Sequence, residues 1–266
     1  MANITHTQAL NKLASDILVQ ALDEDIARIV AWNVMFKPVV AADILPPLLR
    51  RWNCVLQAGD DVATPLYRQT TAVALAILLH KYGIADAALN ARAEAGIDAL
   101  NEAVALSDDF FRKTDAIKDA FLRSPPVPLK RAPSQPDSLT FYRAGDVVSF
   151  QLDGRFHAAY VHRCARTNQS PVIEFYETTF TQVPEIAELL GTRAKGRRYN
   201  DGVERSSKYS VAGMKFLPDP AAQIVLVKAC VDVPPTSGHL AEGVGEYAVL
   251  DIFKIQEVID KAFGAG

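Results

Sequence analysis

The stretch that most constrains the fold is residues 124–138, SPPVPLKRAPSQPDS, because the hydrophobic period changes across it. It holds five prolines and neither a helical nor an alternating pattern. It therefore reads as a linker stiffened towards polyproline II. Before it, apolar residues recur at the spacing of helices; after it they alternate as strands require. The expected fold class is α+β. An all-α helical bundle over 1–123 is followed over 139–266 by a small, strongly bent antiparallel β-sheet or partial barrel with one or two helices.

In the first part, Thr5 or Thr7 suits the cap of a helix carrying Leu10, Leu13, Ile17 and Leu18. Asp23, Glu24 and Asp25 suit the N-terminus of a second, with Ile26, Ile29, Val30, Val34 and Met35 on one face and a break at Pro38. Asp43 or Leu45, with Pro46 and Pro47, starts a third that carries Trp52 and ends at Ala58-Gly59-Asp60. Thr64-Pro65 is a cap followed by proline at the first helical position. The helix after it, Leu66 to Tyr82, is apolar on most of its surface and is expected at the centre, stopping at Gly83. Asp86 or Asn90 starts an alanine-rich helix, and Ser107 with Asp108 and Asp109 starts the last. No repeat of 30 to 45 residues is evident, which favours a compact bundle over a solenoid.

In the second part, Val147–Leu152 and Arg155–Arg163 alternate around Asp153-Gly154, a hairpin signal. Val172 to Thr178 reads as a third strand and Pro184 to Leu190 as a short helix. Residues 191–208 read as loop and Val211 to Leu217 as a weak strand. Ile224 to Val233 is the most β-branched run and is expected to be a buried strand. Tyr247 to Phe253 alternates, and Ile255 to Phe263 closes the chain as a helix.

Charge and cysteine usage narrow the function. The chain carries a formal charge of -3, which argues against a dedicated nucleic-acid binder. No basic stretch leads into an apolar core at the start, so no signal peptide is expected. The most apolar run, Thr70 to Leu79, is too short to span a bilayer. Cys54, Cys164 and Cys230 are odd in number and far apart, which fits a reducing cytoplasm and no disulfide framework. No HExxH, HxH or CxxC is present, so no metal and no cofactor are expected.

His157 and His162 share a predicted strand at an odd separation, which puts them on opposite faces and disfavours a joint metal site. Cys164 follows His162 and Arg163, but no base and orienting acid can be placed beside it. Glu174 and Tyr176 are expected on the face opposite Ile173 and Phe175. Residues 191–198, GTRAKGRR, match neither a phosphate loop nor a dinucleotide fingerprint. They do cluster cations: Arg193, Lys195, Arg197 and Arg198, with Arg205 and Lys208 nearby and Tyr199 and Tyr209 interleaved. Such a patch suits an acidic partner, and less well RNA.

The segment GDVVSFQLDGRFHAAYV, residues 145–161, with VIEFYETTFTQVPEIAELL after it, resembles the opening of the Immunity protein 26 family of bacterial immunity domains. The likeness covers about residues 140 to 190. It lies in a glycine-aspartate strand start, an Asp-Gly turn, a return strand of aromatic and small residues, then a strand, a link and a proline-started helix. The resemblance implies a non-enzymatic protein that binds and neutralises a toxin, encoded next to it and acting in the cytoplasm. It carries over no catalytic residues. Partner contacts are expected from Arg193, Lys195, Arg197, Arg198 and Tyr199, together with His157, Tyr160 and His162. A nucleic-acid or ribonucleoprotein adaptor, and a hydrolase using Cys164 or His239, are the alternative readings.

Overall fold

The computed structural model describes residues 4–34 and 40–264. The chain divides into two compact units, Met1–Pro136 and Asp137–Gly266.

The first unit is helical. Helix α1 (His6–Asn11) opens on a capping box: Thr5 Oγ1 accepts from the Gln8 N–H and Gln8 Oε1 accepts from the Thr5 N–H. The expected first helix is in fact two, because the chain turns through Ala14 at φ 49° before α2 (Asp16–Val34). The acidic trio is therefore inside α2 and caps nothing. Asp25 is buried instead, its Oδ2 accepting from Arg51 Nε at 2.7 Å and from Trp52 Nε1 at 3.0 Å. Met35 and Pro38 lie outside the described residues. Helix α3 (Ala41–Leu56) starts ahead of its proline pair, which falls within the helix.

Helix α4 (Pro65–Lys81) starts at Thr64, whose side chain accepts from the Tyr67 N–H. Every residue from Thr70 to Leu79 is buried. Its buried Val73, Leu75, Ile77, Leu78 and Leu79, at roughly 1.5–3 kcal/mol for each fully buried aliphatic side chain, make this helix one of the main apolar anchors of the unit. Gly83 follows at φ +76°, with Pro128 Cα 3.1 Å from where a Cβ would stand. The start of the proline-rich segment therefore packs on the bundle, and only its end joins the two units. Helices α5 (Ala87–Glu102) and α6 (Asp108–Ile117) begin at Asp86 and Ser107, and a single π-turn over Lys118–Leu122 follows α6. His6 of α1 and His80 of α4 meet at 2.9 Å, Nε2 to Nδ1, and Phe121 packs against both rings.

In the second unit the strands are β1 (Val147–Leu152), β2 (Arg155–Arg166), β3 (Gln169–Phe180), β4 (Arg197–Arg198), β5 (Glu204–Arg205), β6 (Tyr209–Ala212), β7 (Ile224–Lys228) and β8 (Ala248–Asp251). Helix α7 (Ile186–Leu189) precedes β4, and α8 (Lys254–Phe263) follows β8. Six strands form one sheet in the order β7-β1-β2-β3-β6-β8, while β4 and β5 form a separate ribbon. Asp153 and Gly154 both take positive φ, 49° and 74°, as a tight two-residue hairpin needs. Register shifts between His157 and Ala159 and between Val161 and Arg163 mark bulges in the β2–β3 pair. Bulges of this kind raise local twist.

Two expectations are corrected. The sheet is mixed and open, because β6 and β8 pair in parallel and β7 and β8 are left as edges. It does not close into a barrel. The β-branched run after Ile224 is an edge strand, mostly half-buried, that ends at Lys228. Its composition suits a pleated surface, and composition does not distinguish the centre of a sheet from its rim.

Candidate functional site

The basic segment is an ordered structure and not the expected loop. It is pinned across the end of β3: the Lys195 N–H donates to Phe175 O at 2.7 Å, the Ala194 N–H to Thr236 O at 2.8 Å, and the Glu177 N–H to Arg193 O at 2.9 Å. The chain then forms the β4–β5 ribbon, turning at Gly202 at φ 77°. Inside the ribbon Tyr199 is flanked by two guanidinium groups, Arg197 at 5.2 Å and Arg205 at 5.3 Å from its ring centroid. Arg205 also grips both oxygens of Asp201, at 3.0 and 2.7 Å, and this contact holds the Asp201 carboxyl below the usual range.

The cations differ in what they touch. Arg193 is tied to Glu177 at 2.8 Å. Lys195 lies 5.5 Å from the ring centroid of Phe263 on α8. Arg197 and Arg198 are exposed, and among the described residues neither has a carboxylate within ion-pair distance. The ribbon thus presents cation–π-held and free cations on a hydrogen-bonded frame.

The strand residues expected to join this patch do not. His157 is 3% exposed and its ring packs 4.5 Å from Phe263, on the side of the sheet that α8 covers. Burial above all, then the Arg155 charge, depresses its pKa to about 4. Tyr160 is also buried, on the opposite side, with its hydroxyl donating to Val231 O at 3.0 Å. Both were expected to face a partner; both are instead occupied inside the fold, since a strand covered on each side buries both of its faces.

His162 is the partial exception. It is half-buried and shares a 2.8 Å hydrogen bond, through Nε2, with Glu174 Oε2. Glu174 is 2% exposed, and its second oxygen has no hydrogen-bond partner among the described residues. Tyr176, beside it on β3, has its phenol pushed up to about 12, by burial first and then by the charges of Tyr160 and Glu174. The opposite-face placement of His157 and His162 holds, as does that of Glu174 relative to Phe175. The pairing of His162 with Glu174 was missed. Cross-strand register brings them together: Tyr160 pairs with Glu174, so His162, two residues on, lies on the same face and diagonal to it, and alternation within one strand does not give the register between two.

The remaining chemistry is sparse. The Cys164 thiol points to Tyr142 O at 3.7 Å, and burial raises its pKa, the opposite of what an activated thiolate needs. His239 is exposed on the loop before β8. Among the described residues no group of three His, Cys, Asp or Glu side chains is placed to hold a metal ion, and no helix is long and apolar enough to cross a membrane. The chain matches no protein-family model, no curated protein and no solved structure.

Proposed function

We propose that this chain is a non-enzymatic immunity protein, which binds and neutralises a toxin acting in the cytoplasm and encoded next to it. The observation that carries the reading is the β4–β5 ribbon: exposed arginines on a frame held by backbone hydrogen bonds and an Arg-Tyr-Arg stack. A neutralising protein has to associate quickly and keep its shape. Localised cations speed encounter with an acidic partner, and a preformed surface lowers the ordering cost of docking. The docking residues in this reading are Arg193, Lys195, Arg197, Arg198 and Tyr199. His157 and Tyr160 act only as supports.

The test is capture of the neighbouring gene product by the full chain, with growth rescue on co-expression. Arg197→Glu with Arg198→Glu is expected to slow association and to make it less sensitive to salt. A neighbour that is neither toxic nor bound overturns the reading.

A second reading is favoured by the same stack. Arginine on an aromatic ring within a cationic groove also suits single-stranded nucleic acid. It predicts binding to a mixed-sequence single-stranded RNA that falls steeply with salt, and the net acidic charge of the chain counts against it.

A further inference from the structure

The second unit holds an open cleft of about 600 Å³ between residues 195–198 and helix α8. Small-molecule sites typically enclose roughly 300–1,000 Å³. Both walls belong to the same unit, so the cleft is complete without a partner.

Two properties of its lining decide what fits. The first is charge. Lys195, Arg197, Arg198, Lys254 and Lys261 line it, against the two carboxylates of Glu204 and Glu257. Glu257 lies 2.7 Å from Lys254 and 3.9 Å from Lys261, so its one carboxylate pairs with Lys254 and only loosely with Lys261, which is exposed. Lys195 and Arg197 are held differently, over the rings of Phe263 and Tyr199. A ring face orients a cation without neutralising it, so both stay available to an anion. The second property is the apolar surface: Tyr209 is buried against the cleft, and Leu250, Val258 and Ala262 complete an aliphatic wall beside it.

We propose that this cleft is a binding site for a small amphipathic anion, a carboxylate or phosphate carried on an apolar body the size of one ring. The anionic group meets Lys195 and Arg197, and the apolar body packs on Tyr209, Leu250 and Val258. A bare anion leaves the aliphatic wall wet, and a neutral or cationic ring leaves the two cations unanswered. The site does not depend on the toxin reading.

The experiment is a titration of the full chain with phenyl phosphate, phenylacetate, inorganic phosphate and benzylamine, followed by amide chemical shifts and calorimetry. Phenyl phosphate and phenylacetate are expected to bind and to shift amides within 195–198 and 254–262. Inorganic phosphate is expected to bind more weakly than phenyl phosphate, and benzylamine not at all. Lys195→Gln or Arg197→Gln should weaken phenyl phosphate about tenfold, as expected for one lost charge-assisted hydrogen bond. Val258→Ser, on the half-buried face of α8, should weaken it by removing part of the aliphatic wall without adding a charge near either cation. Equal binding of phenyl phosphate and benzylamine, equal binding of phenyl phosphate and inorganic phosphate, or no shift in the cleft amides at millimolar ligand each overturns the proposal. So does unchanged affinity in all three variants. If the cleft stays silent while the toxin still binds, the cleft proposal fails and the immunity reading stands.

Discussion

Acid should loosen the second unit through one residue, His157. Its ring is nearly inaccessible, packs on Phe263, and carries an Nδ1 with no hydrogen-bond partner among the described residues. Its pKa is depressed from 6.5 to about 4, by burial first and by Arg155 second, with Asp260 opposing. In the unfolded chain the imidazole takes its proton near 6.5; in the folded chain it resists until about pH 4. Between those values the unfolded state binds more protons, so stability rises with pH there. The contribution is fully present above 6.5 and is lost as pH falls towards 4. At about 1.4 kcal/mol for each pH unit of that gap, the loss comes to about 3 kcal/mol. His157→Leu removes the titration and the orphan nitrogen at similar volume. The variant should lose most of this pH dependence and be the more stable protein at pH 5. Both tryptophans, Trp32 and Trp52, belong to the first unit, so indole emission does not report on this event. Urea unfolding followed by the methyl resonances of Val161 and Ile173 does. A His157 ring that titrates near 6.5 in the folded protein, or a leucine variant with the wild-type pH slope, refutes the reasoning.

Three further outcomes are expected. Asp25→Ala leaves Arg51 and Trp52 facing a lost acceptor in the bundle core, and should cost about 3–5 kcal/mol in urea unfolding read by Trp52 emission. The first unit should also weaken as pH falls below 6.5, because burial, first in each case, lowers the pKa of both His6 and His80; an unfolding midpoint by tryptophan emission that stays flat from pH 7 to 5 would count against this. Gly196→Ala sets a Cβ 2.5 Å from Glu204 Cγ and Leu240 Cδ2, so it should displace the ribbon at a cost of about 1–3 kcal/mol, seen as faster amide exchange at Arg197 and Arg205.

What could be read beforehand was local. Thr64-Pro65, Ser107 and Asp153-Gly154 each set a helix start or a turn through a local capping hydroxyl or backbone preference, and each does so in the structure. The acidic trio in α2 misled because the same carboxylate suits a helix start or a buried pair. Only the arrival of Arg51 and Trp52 from α3 decides for Asp25. The parallel β6–β8 pairing joins residues separated by the whole excursion through β7, and no local pattern encodes it. The two-residue strands of the ribbon are too short to show a period. At the candidate site the cations were legible as a cluster, but their order was not. Backbone hydrogen bonds to Phe175 and Thr236 supply it, from segments distant in sequence.

That order gives the six cations between 191 and 208 unequal roles, which a charge count hides. Arg193 and Arg205 are bound to carboxylates, and Arg205 also packs on Tyr199. Their removal should act on the frame. Arg198 is exposed, with no ion pair among the described residues, and its removal should act on the field alone. Arg205→Gln therefore should loosen Asp201 and Tyr199, whose side chains keep the Val203 N–H and Arg197 respectively, speed amide exchange through the ribbon, and raise the dissociation rate of any partner docked there. Arg198→Gln should leave exchange unchanged and lower only the association rate, with the difference from wild type vanishing at high salt. If the two variants alter exchange alike, the ribbon is not held by the Arg205 contacts, and the distinction between frame and field fails with it.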